Sequence, residues 1–164
     1  MSTEKKEKNA LRKMKLRWFG PFFNGTIPRK FGSGLYLVYA GNYPLFVSSS
    51  IDIKAALMTH LFLTTKSVVP MDMRGREILH HAKQHRQPIV IKTAVCYLED
   101  ELVDPKENIE LYREAANGVA YCHGLPCNRI ASVRYDYEST EFTCIGKFFP
   151  LKERFLAIKS LTTE

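Results

Sequence analysis

Apolar positions along the 164-residue chain fall into alternating runs and helically spaced runs, separated by turn residues. Leu35 to Ala40 mixes aliphatic and aromatic side chains and predicts a strand. Gly41-Asn42 is a turn signal, and Pro44 to Ser48 predicts the second strand of a hairpin. Ser48-Ser49-Ser50 then offers an N-cap, and Asp52 places a carboxylate where the helix dipole favours one. Ile53, Leu57, His60, Leu61 and Thr64 recur at helical spacing, so a helix is expected from about Ile51 to Lys66. A second helix fits Met73 to Arg86, stopped by Pro88. Ile89 to Leu98 is β-branched and alternating, with Ile89, Ile91, Val95 and Tyr97 on one face, and predicts a strand. Asp104-Pro105-Lys106-Glu107 reads as a capping aspartate, a first-position proline and a third-position glutamate, starting a helix that runs to about Ala116 or Val119. Ile130 to Tyr137 and Phe142 to Phe149, around Glu138-Ser139-Thr140, predict a late hairpin. Leu151, Phe155, Ile158 and Leu161 predict a closing helix over Leu151 to Leu161.

Before the first hairpin the pattern is weaker. Residues 1–20 read as a basic, flexible tail, partly helical from Asn9 to Phe19 and broken by Gly20-Pro21 and Asn24-Gly25. A Pro/Gly-rich connector, Gly20 to Gly34, leads into one domain spanning 21–164. The expected class is α/β of the α+β kind: a small, mainly antiparallel sheet flanked by helices, extended by a C-terminal hairpin and helix.

Charge changes this picture most. The formal net charge is +7, and residues 1 to 17 alone hold seven basic residues against Glu4 and Glu7. Lys5, Lys6, Lys8, Arg12, Lys13, Lys15 and Arg17 are therefore candidate phosphate contacts, against the plainer reading of a solvated lead-in. Trp18 and Phe19, beside Arg17, suit either stacking on bases or docking the tail onto the domain. No apolar run approaches the roughly 18 residues of a membrane helix, and the first residues lack the apolar stretch of a secretory signal. The expectation is an intracellular protein, nuclear or cytoplasmic, without membrane contact. Cys96, Cys122, Cys127 and Cys144 then read as free thiols.

Other clusters weigh less. Cys122-His123-Gly124-Leu125-Pro126-Cys127 lacks the second ligand pair that zinc needs. His81 and His85 share a helix face but have no acidic companion of the metalloprotease type. With Arg74, Arg76, Lys83 and Arg86 nearby, that helix reads as a basic face, either solvated or turned to phosphate.

The order of elements meets specific residues at Gly34-Leu35-Tyr36 and, ten residues beyond Tyr36, Phe46-Val47-Ser48. Ser49 and Ser50 lead into the expected helix, and Glu114 is followed by Leu125-Pro126-Cys127-Asn128. From about Phe31 to Asn128 this resembles the GIY-YIG endonuclease domain. The resemblance implies a tyrosine acting at the base position (Tyr36), a metal-holding glutamate (Glu114, binding Mg2+ if the chain is active) and an asparagine (Asn128) at a shared groove with Lys54 and His60. It also implies an arginine on the first helix and a second tyrosine. Here those positions hold Ala56 and Phe46, which carry no charge and no phenol. Losing one electrostatic partner of a transition state typically costs about 2.7–4 kcal/mol. The expectation is thus a nucleic-acid-binding or adaptor protein on a catalytically impaired nuclease-like fold, with no cofactor. The alternatives are a protein-interaction module on the same fold, and an active Mg-dependent endonuclease whose cation has moved to Arg74, Arg76 or Arg113.

Overall fold

A computed structural model of the chain describes residues 12–23, 27–60, 73–128, 140–146 and 154–156. They form a mixed α+β fold. The strands are β1 (Arg12–Phe22), β2 (Gly34–Ala40), β3 (Tyr43–Ser50), β4 (Ile89–Leu98), β5 (Glu101–Leu102), β6 (Thr140–Gly146) and β7 (Arg154–Leu156). The helices are α1 (Ile53–His60), α2 (Met73–His85) and α3 (Ile109–His123), with a 3-10 turn at Arg29–Phe31. The seven strands among the described residues join one sheet in the order β3-β2-β4-β1-β6-β7, with β5 beside β4. Every pairing is antiparallel except β1 with β6.

The first hairpin follows from its turn. Gly41 holds φ +59, and its N–H donates to the Pro88 carbonyl at 2.8 Å, tying the turn to the start of β4. At the other end of β2, Gly34 holds φ +132, and a Cβ there would collide with the Ala94 carbonyl oxygen across the β2–β4 pair. The first residue of the Gly-Leu-Tyr triplet is thus fixed by backbone approach alone. A bulge between Val38 and Tyr39 turns both Leu45 and Phe46 into the same core.

The sheet curls around α3, which touches both end strands, β3 and β7. Its stripe Leu111, Tyr112, Ala115, Ala116 and Val119 packs on the inner face against Met14, Leu16, Trp18, Leu35, Leu37, Phe142 and Cys144. Burying such side chains stabilises by roughly 1.5–3 kcal/mol each. Tyr112 also links two segments: its hydroxyl donates to the Val103 carbonyl at 2.6 Å and accepts from the Cys96 N–H at 2.9 Å. On the outer face, α1 and α2 cover β2 and β3, enclosing Tyr36, Val38, Phe46, Ile53, Leu57, Ile78 and Ile91.

Three expectations are corrected. Residues 12–22 are neither helical nor a tail. They are a strand inserted between β4 and β6, with Leu16 at 0% and Trp18 at 1% exposure. The period of two in Lys13-Met14-Lys15-Leu16-Arg17-Trp18 explains this, because it gives one apolar and one charged face. The third helix starts later than the capping pattern suggests. Asp104 spends its side chain on the Lys106 N–H (2.9 Å) and its carbonyl on Glu107 and Asn108, closing a separate turn, and Asn108 stands at the helix start. The closing helix fails at Arg154–Leu156, which pair with β6 as a strand. The expected helix over Ile51 to Lys66 is observed to His60; its remainder, and the first strand of the late hairpin, lie outside the described residues. Among the described residues no helix is long and apolar enough to cross a membrane.

Candidate nucleic-acid interface

The alternation in β1 that buries Met14, Leu16 and Trp18 inward sends Lys13, Lys15 and Arg17 to the outer face, where all three are exposed. One face of a mainly antiparallel sheet commonly meets solvent, so a cationic row on a middle strand stays available to a partner. Successive members of the row stand roughly 6.7 Å apart, two residues of strand rise. Register fixes their neighbours. Lys13 lies beside Glu141, Lys15 between Tyr97 and Thr143, and Arg17 between Val95 and Ile145. β7 adds Arg154 beside Thr143. Two carboxylates offset part of this charge: Glu141 pairs with Arg154 at 3.3 Å, and Asp100 reaches Lys15 at 4.0 Å with both side chains well exposed. An exposed pair of that length contributes little and is screened by salt.

The row ends at an aromatic hollow of about 520 Å³, framed by Arg17, Phe19, Phe22, Phe31 and Gly146. Phe31 arrives from the 3-10 turn and stacks on Phe19 with ring centroids 4.0 Å apart and planes 23° apart. Phe22 stands 6.3 Å from the same ring, and the Lys30 ammonium sits 4.9 Å from its centroid. Gly146 closes the rim at φ +88, where a Cβ would come within 2.6 Å of the Trp18 carbonyl oxygen, so no larger residue fits without shifting β1. The hollow therefore joins a flat apolar wall to cations at its edge.

The sequence-predicted groove residues are placed differently. Tyr36 lies 2% exposed on the outer face, its ring 6.0 Å from that of Phe46. Glu114 is on α3, which packs on the inner face, so the sheet stands between the two. Strand parity decides this: Tyr36 pairs with Thr93 on the outer face, while Leu35 and Leu37 meet α3. Asn128 sits beside β3 on the side away from β2 and takes up the backbone of Val47, accepting from its N–H at 2.9 Å and donating to its carbonyl at 2.8 Å. Its carboxamide thus continues the sheet and is not turned toward a groove. Ala56 packs against the outer core and Phe46 is buried within it. Lys54 and Arg76 are exposed on α1 and α2; His60 and Arg74 belong to those helices, and their side chains lie outside the described set, as do Lys5, Lys6, Lys8 and the Arg12 side chain. Arg113 pairs with Glu110 on the surface of α3.

No family model matches the chain, and no curated protein or solved structure is significantly similar to it. The chemistry of the site must therefore speak from its own residues. Burial, above all, pushes the Cys96 thiol and the Tyr39 and Tyr112 phenols far up from their ordinary values, which keeps them protonated and unsuited to nucleophilic work. Cys144 Sγ accepts from Trp18 Nε1 at 3.3 Å, and the His123 Nδ1 meets the Val119 carbonyl at 2.8 Å. Among the described residues no three His, Cys, Asp or Glu side chains gather as a metal site. Sequence reasoning named Lys13, Lys15 and Arg17 as phosphate contacts but missed that a strand aligns them. The signal was the alternation of charged and apolar residues.

Proposed function

We propose that this protein binds nucleic acid through the outer face of β1 and its neighbours, and does not cut it. The observation that carries the reading is the exposed row Lys13, Lys15 and Arg17 on a middle strand, which carboxylates among the described residues offset only in part. At roughly 6.7 Å in water, like charges repel by about 0.6 kcal/mol per adjacent pair. A polyanion laid along the strand turns that repulsion into attraction and gains further from counterion release. The order hairpin, two helices, strand, helix also supports a scaffold resembling the GIY-YIG domain. The non-cutting half rests on Ala56 and Phe46 at the arginine and second-tyrosine positions; the separation of Tyr36 from α3 leaves no shared groove of the kind the resemblance implies and counts against that resemblance.

The test uses labelled single-stranded and duplex oligonucleotides at about 50 mM salt, with and without Mg2+. Saturable binding with intact oligonucleotide is expected. Absence of binding at about 50 mM salt refutes the reading, because phosphate contacts are strongest there. Magnesium-dependent cleavage abolished by Glu114→Ala refutes its non-cutting half. A stoichiometric protein partner that survives nuclease treatment, in a chain that binds no oligonucleotide, transfers the face to protein recognition.

A further inference from the structure

The outer face and the hollow are adjacent, and together they say more than charge alone. Arg17 belongs to both: it ends the cationic row and lines the hollow. The volume of about 520 Å³ falls within the roughly 300–1,000 Å³ of small-ligand sites. Its wall is the Phe19–Phe31 stack with Phe22 beside it. Among the described side chains that frame it, only Arg17 and Trp18 carry polar hydrogens, and the Trp18 indole N–H is already given to Cys144 Sγ. A base entering here would meet flat aromatic surface and a guanidinium. Bases held inside a duplex cannot present a ring face to such a wall.

We propose that the hollow takes an unstacked base of a single strand, which lies against the aromatic wall and displaces the Lys30 ammonium from the face of Phe31, while the flanking phosphates lie on Arg17 and Lys15 on one side and on the displaced Lys30 on the other. This rests on the nucleic-acid reading and specifies it: single strands are preferred over duplexes, with little dependence on base identity. Stacking on aromatic side chains is sequence-tolerant because every base has a π-face.

The experiment separates ring contacts from charge contacts. Anisotropy titrations compare a labelled oligothymidine, the same strand with abasic positions, and a duplex of equal length, each across a salt series. Wild type is expected to bind the abasic strand and the duplex roughly 5- to 100-fold more weakly than the oligothymidine, at unchanged salt slope for the abasic strand. Phe31→Leu is expected to lose affinity for the oligothymidine by a similar factor and to be indifferent to base removal, whereas Phe31→Trp restores discrimination. Thermal melts of both variants verify the fold, and the abasic arm on wild type needs no variant at all. Equal binding of normal and abasic strands by wild type overturns the base pocket while leaving the cationic face standing. No binding of any strand overturns the reading beneath it.

Discussion

Neutralising the β1 row without disturbing its packing is the sharpest probe of the outer face. The triple variant Lys13→Gln, Lys15→Gln, Arg17→Gln removes three charges yet keeps most of the aliphatic stems that lie against Tyr97, Val95, Thr143 and Ile145. Glu141 loses Lys13 as a neighbour but keeps Arg154 at 3.3 Å, so no carboxylate is stranded. Exposed substitutions of this kind usually change stability by no more than about 0.5 kcal/mol. For a single strand, the slope of log affinity against log salt is about −0.7 per phosphate contact, so losing three contacts flattens it by about 2.1. Between 50 and 200 mM salt, wild-type affinity should therefore fall roughly 20-fold more than that of the variant. Anisotropy across five or six salt concentrations reads this directly. Lys106→Gln, an exposed cation on the turn before α3, serves as a control that leaves the slope unchanged. Identical slopes for wild type and a folded triple variant would refute the assignment of phosphates to β1.

Further outcomes follow from the packing. Leu16→Ala should cost about 2–5 kcal/mol in chemical denaturation, since Leu16 is fully buried between Cys96 and Cys144; a tail residue would cost nothing. Deleting residues 1–17 removes half of β1 and should abolish the cooperative transition of the full chain in the same assay. Asn128→Ala leaves the N–H and carbonyl of Val47 without their partner at the sheet edge and should destabilise by about 1–3 kcal/mol, lowering Tm by several degrees. Cys96, Tyr39 and Tyr112 have folded-state values raised first of all by burial, so the stability they confer is complete below the ordinary thiol range and declines as pH rises through and beyond the ordinary phenol range. Denaturation midpoints at increasing alkaline pH should therefore fall, and a flat profile would count against the buried placement of these groups.

Local pattern made much of the scaffold legible. The hairpin, the start of α1, α2 and β4 each carry their own turn, cap or alternation, and each forms near where those signals lie. Where one signal admits two structures, the pattern misled. The lysines of β1 drew attention to charge and away from the alternation beneath it. Asp104 satisfies a capping motif and a side-chain-closed turn equally well, and the chain uses the turn. Leu151, Phe155 and Ile158 recur at helical spacing, but Phe155 and its two neighbours, Arg154 and Leu156, pair with β6. The candidate groove was illegible for a deeper reason. Which face Tyr36 occupies depends on strand parity, and where Glu114 points depends on the face α3 covers. Neither is written in local sequence. The hollow likewise needs Phe31 to fold back onto Phe19 from a separate turn.

The parallel join between β1 and β6 bears on how the molecule is made. Trp18 and the Cys144 that accepts its indole proton are 126 residues apart in the chain. On a ribosome β1 emerges well before β4 and longer still before β6, so the margin that β6 covers waits unpaired after the β4 pairing can form. Topologies that depend on such distant pairings fold slowly, and a product cut short before residue 140 would leave β1 as an open sheet margin, the kind of template on which chains aggregate.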